Sequence, residues 1–136
     1  MIEDKIVQTV RSFYPEIQAI YLFGSYGTEY EQVDSDVDIA LLFSPREAKR
    51  IGILTLGRCW SALADVTDRS VDLINLRLVN TLFQHEIIQQ GRILFEADGS
   101  GVGIFEMLTL SFYQKLNEER KEIIEEVIQS KRVLKI

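Results

Sequence analysis

The chain has 136 residues, a length that suits a single domain able to bury a sizeable core. Hydrophobic content of 46% beside 26% charged residues is ordinary for a soluble globular protein, and no apolar run reaches the roughly 18–20 residues of a membrane span. The net charge of −6 disfavours loose binding to nucleic acid, and one cysteine, Cys59, excludes an internal disulfide. Met1-Ile2-Glu3-Asp4-Lys5 lacks the basic-then-apolar pattern of a signal peptide, so the expected location is the cytoplasm.

Ile2, Ile6, Val10 and Phe13 repeat at three to four residues, which predicts a helix over 2–14, closed by Pro15. Residues 17–23 read as a buried strand rich in branched and aromatic side chains, stopped by Gly24. The stretch 25–35 is a loop or short helix. Residues 36–43 form a second strand. Ser44 and Pro45 then suit the N-cap and first position of a helix over 46–66, expected to be the longest central one. Gly52 and Gly57 each weaken that helix by about 1 kcal/mol. Asp65, Asp68, Arg69 and Ser70 read as a loop. A third strand covers 71–76, a helix 78–90 ends at Gly91, and a fourth strand covers 92–96. After the turn at 98–101, residues 102–132 are strongly helical, with a break possible near Asn117.

The chemistry concentrates between the first two strands. Phe23-Gly24-Ser25 ends one apolar strand, ten residues follow, and Asp36-Val37-Asp38-Ile39 opens the next. Residues i and i+2 of a strand share a face, so Asp36 and Asp38 present carboxylates on one side while Val37 and Ile39 face the other. A glycine–serine turn can offer backbone N–H groups and a hydroxyl to a phosphate. Asp72, inside a third apolar strand, is costly unless paired, and joins the other two as the third member of a metal site. Three clustered carboxylates repel one another until a cation neutralises them, and an oxygen-only set suits Mg²⁺. Aspartates at a strand mouth are also commonly just solvated.

Arg77 either reaches phosphates or is structural. Cys59 and Trp60 read as core, and His85 as uninvolved. Tyr26 and Tyr30 cover a nucleotide, simply pack, or serve as sites of self-modification.

Gly24-Ser25, the ten-residue spacer, Asp36-x-Asp38 and the later Asp72 together resemble the signature of the DNA polymerase β-like nucleotidyltransferase superfamily. In size the chain is similar to the minimal nucleotidyltransferases (MNT), and within them to the MntA-type antitoxins of HEPN/MNT toxin–antitoxin pairs. The resemblance implies an α/β (α+β) fold: a mixed sheet of about four strands flanked by helices. One domain over 1–136 is expected, with a sheet-bearing core at 1–98 and a C-terminal helical tail at 99–136. It implies an enzyme that moves AMP from ATP to a tyrosine of a HEPN ribonuclease toxin, without direct nucleic-acid or membrane contact. Asp36, Asp38 and Asp72 would hold Mg²⁺, and Gly24 and Ser25 would seat the triphosphate of ATP. The rival expectations are an antitoxin that acts by steric binding alone and a small-molecule nucleotidyltransferase.

Overall fold

A computed structural model describes residues 1–26, 31, 35–99 and 101–134. Its centre is a four-stranded sheet of β1 (Ala19–Phe23), β2 (Val37–Leu42), β3 (Val71–Asn75) and β4 (Arg92–Glu96), in the order β3-β2-β1-β4. β1 pairs antiparallel with both β2 and β4, while β2 and β3 run parallel. A parallel neighbour needs a crossover, and helices α2 (Pro45–Ile51) and α3 (Arg58–Thr67) supply it. The other helices are α1 (Ile2–Phe13), α4 (Thr81–Gln90) and α5 (Val102–Leu134), with one 3-10 turn at Leu76–Leu78.

The strands' alternation divides the core into two layers. Ile20, Leu22, Val37, Ile39, Leu41, Val71 and Leu73 pack with α1 and α3. Ala19, Tyr21, Ala40 and Leu42 face the other way, toward Leu76, Ile87, Val102 and Phe105. Asp38 alternates with Val37 and Ile39, so it belongs to the second face, which α4 and the start of α5 cover.

Four helix boundaries depart from the sequence reading. The single helix over 46–66 is two helices, broken between Gly52 and Gly57. Gly52 has φ +69° and Leu56 has φ +68°, left-handed values that no α-helix continues through. Ser44 does cap α2, accepting from the Glu47 N–H at 3.3 Å with Pro45 in the first turn, and Gly57 begins α3. The longest helix is α5, which runs unbroken through Asn117. Asp65 lies within α3 rather than in a loop, and α4 starts at Thr81, where the Asn80 side chain accepts from the Phe83 N–H at 2.9 Å. Val102, Phe105 and Thr109 are buried, so α5 begins as part of the core; residues 117–130 are exposed. Among the described residues no helix is long and apolar enough to cross a membrane.

Candidate active site at the end of the sheet

β1 and β2 are paired so that Phe23 lies opposite Asp38, and β2 and β3 so that Asp38 lies beside Asp72. Neighbouring strands are about 4.8 Å apart, which sets these two carboxylates side by side on one face. Asp36 precedes β2 by one residue and is exposed; Asp38 is partly buried. Asp72 is exposed, so the desolvation cost that singled it out in the sequence does not apply. Its register with Asp38 places it instead.

The three carboxylates act on one another. Burial first, then the charges of Asp72 and Asp36, push the Asp38 carboxyl up to about 6. Among the described residues no three His, Cys, Asp or Glu side chains already converge on one ion position. The donor chemistry nonetheless fits a hard divalent cation: oxygen ligands alone, on adjacent register positions, with a repulsion that a positive charge removes.

Gly24 turns the chain at φ +76°, and a β-carbon there would fall 2.0 Å from Asp38 Oδ2. Its missing side chain is the space that the Asp38 carboxylate occupies. Ser25 Oγ meets Ser35 Oγ at 3.3 Å, which ties the phosphate-type turn to the far end of the spacer. Arg69 stabilises the same end. It donates to the Ser35 carbonyl at 3.2 Å, pairs with Glu31 at 3.2 Å, and lies 4.8 Å over the Tyr26 ring. Sequence reasoning left Arg69 as a loop residue, because a pairing 34 positions away in sequence leaves no local pattern. Tyr30, also singled out in the sequence, lies outside the described residues.

A cavity of about 180 Å³ adjoins Gly24 and Asp38, walled by Phe23 and by Phe83, Glu86 and Gln90 of α4. Phe23 and Phe83 meet edge to face at 5.9 Å. These α4 residues were not anticipated, although their three-to-four spacing marks one helix face.

The remaining expectations separate cleanly. Arg77 is structural: it donates to the Phe43 carbonyl and to Gln18 Oε1 (2.9 Å), at the sheet end opposite Asp38. His85 stacks on Tyr113 at 3.6 Å, away from the carboxylates. Trp60 packs on the core and donates to the Val71 carbonyl at 2.7 Å. Cys59 is buried, which raises its thiol to about 11 and leaves it inert at neutral pH.

Residues 4–100 match the family described as polymerase beta nucleotidyltransferase. The protein adenylyltransferase MntA of Shewanella oneidensis is 34% identical over 126 residues, covering 93% of this chain and 87% of MntA. A crystal structure of a toxin–antitoxin with AMP-PNP superposes with a TM-score of 0.75 at 33% identity, covering 94% of this chain and 99% of the matched one. A structure of the tri-AMPylated Shewanella oneidensis HEPN toxin with its MNT antitoxin gives a TM-score of 0.70 at 33% identity, over 93% and 96% of the two chains.

Proposed function

This chain belongs to the polymerase β family of nucleotidyltransferases, and we propose that it is a Mg²⁺-dependent protein adenylyltransferase that transfers AMP from ATP to a tyrosine of a HEPN-type toxin and so silences it. The observation that carries the chemistry is the in-register Asp38–Asp72 pair with Asp36 two residues upstream. The choice of acceptor rests on relatives: one is named a protein adenylyltransferase, and one solved complex holds an AMPylated HEPN toxin. ATP as donor is supported by the relative crystallised with AMP-PNP.

Asp36, Asp38 and Asp72 would hold the cation, which when bound neutralises the triphosphate and the carboxylates together. Gly24 leaves room for the Asp38 carboxylate at the turn and would let the backbone approach the triphosphate, and Ser25 would offer its hydroxyl and N–H to the terminal phosphates. A free tyrosine hydroxyl has a pKa near 10, so it needs help to attack at neutral pH. Asp72 would accept that proton from an incoming protein side chain, a role supported by its exposure on the sheet's edge strand. The tyrosine oxygen then bonds to the α-phosphorus in line as the bond to pyrophosphate breaks.

We read the chain as one domain, with residues 1–98 carrying the chemistry and the C-terminal helical tail of 99–136, past the core-packed start of α5, available to a partner, working in the cytoplasm. The test is incubation with ATP, Mg²⁺ and the purified HEPN partner, followed by intact-mass analysis. One or more AMP increments on the partner are expected, lost in Asp36→Asn and Asp38→Asn. A neutralised partner of unchanged mass would sink the proposal in favour of steric inhibition.

A further inference from the structure

At the sheet end opposite the carboxylates lies a second cavity, of about 270 Å³. Leu78, Phe105, Leu108 and Phe112 wall it, and Lys49 and Arg77 bring two positive charges to it. Arg77 is held rigid by Phe43, Gln18 and the ring of Phe105 at 5.1 Å. Those two hydrogen bonds use two of the five donors that a guanidinium carries. Among the described residues no carboxylate forms an ion pair with it. Burial also lowers its pKa, as expected of a cation desolvated without a counter-charge. An apolar pocket with an uncompensated guanidinium suits an apolar group that carries a carboxylate.

The pocket's outer wall continues. Leu108 and Phe112 are exposed, and the same helix goes on to exposed Ile123 and Val127, at spacings of four and eleven that keep them along one face. A stripe of that length exceeds a small ligand and fits a polypeptide. We propose that this cavity and the adjoining face of α5 form the docking surface for the protein partner, which inserts an apolar segment bearing a carboxylate beside Lys49 and Arg77. The inference rests on the reading that the chain acts on a protein partner. It places docking and chemistry at opposite ends of the sheet.

The test measures affinity for the purified HEPN partner by calorimetry with Leu108→Asp, Phe112→Ser and Lys49→Glu. Each is expected to weaken binding about tenfold or more, and the Lys49→Glu complex should lose much of its salt dependence. Asp36→Asn serves as the control that leaves docking intact. Wild-type affinity in variants that melt normally by circular dichroism overturns the proposal. So does thermal stabilisation by decanoate that Leu108→Asp abolishes while partner affinity is unchanged, since the pocket would then hold a free amphipathic carboxylate. If Leu108→Asp fails to fold, the other two variants decide. A partner that binds with these sensitivities yet gains no AMP mass refutes the catalytic reading and leaves the docking surface standing.

Discussion

Gly24 and Asp38 compete for one volume. A β-carbon on Gly24 would sit 2.0 Å from Asp38 Oδ2, 3.0 Å from its carboxyl carbon and 3.3 Å from its own β-carbon. Gly24→Ala must therefore move the carboxylate, and it must also hold alanine at φ +76°, at a cost of about 1–2 kcal/mol. The expected result is a modest drop in the urea midpoint and a much larger loss of AMP transfer. Wild-type turnover in this variant, measured by release of pyrophosphate, would show that the close approach has no bearing on catalysis.

The raised Asp38 carboxyl predicts how the metal-free protein responds to pH. Its value near 6 exceeds the ordinary 3.8, so the folded state holds this proton more tightly than the unfolded one. The resulting stability is complete below about 3.8 and is lost as pH rises through 6. The melting temperature without divalent ions should thus fall between pH 4 and 7, and Asp38→Asn should flatten that fall. Mg²⁺ should restore more stability at pH 7.5 than at pH 5, because below 6 a proton competes for the same oxygen, at about tenfold in apparent Kd per pH unit. Equal stabilisation by Mg²⁺ at both pH values would exclude Asp38 as a ligand.

The alternation explains why so much of this arrangement is legible in the sequence. Val37 and Ile39 require one face, so Asp36 and Asp38 require the other; the strand order, with β4 reaching across the sheet from β3 to pair with β1, is set by tertiary packing and is not written in the alternation. What is not legible depends on tertiary contact or on unusual backbone. Gly52 and Gly57 mark a weakness in the helix, but nothing in a leucine announces the φ of +68° at Leu56 that completes the break. Arg77 has the same local sequence whether it binds phosphate or the Phe43 carbonyl, and only the fold decides. Arg69 and the α4 side chains meet the site across long separations in sequence.

Asp72 separates function from stability. It is exposed, so Asp72→Asn should change the unfolding free energy by no more than about 0.5 kcal/mol. The same change removes the largest charge acting on Asp38 and should lower the pH at which Asp38 titrates. AMP transfer should nevertheless fall on the order of a hundredfold or more, the scale of losing one preorganised charged group at a reacting centre. Near-normal turnover at unchanged stability would remove Asp72 from the site.

Arg77 tests the opposite case, a cation that looks catalytic and is not. Arg77→Gln strips donors from the Phe43 carbonyl and Gln18, at about 1–3 kcal/mol. The KM for ATP should stay within about twofold, since Arg77 stands at the far end of the sheet from Asp38. A large rise in KM for ATP with little loss of stability would restore the phosphate-binding role.

Asn75 closes the C-terminus of α2. Its buried Nδ2 donates to the carbonyls of Ala48 and Gly52, both at 3.0 Å, while Oδ1 has no partner. Asn75→Ala removes both donors, leaving two carbonyls short, but also removes the orphaned acceptor, so the net cost should sit near about 1–2 kcal/mol. Asn75→Asp keeps the shape and turns a carboxylate oxygen toward two carbonyl oxygens, a buried charge against like partial charges, and should cost more than alanine at pH 7.5. That carboxyl titrates above its unfolded value, so the extra penalty should shrink at pH 4.5, where the protonated acid can donate to one of the carbonyls. Urea midpoints of wild type and both variants at the two pH values decide it. An Asn75→Asp variant that tracks alanine at both would mean the α2 carbonyls are satisfied without this side chain.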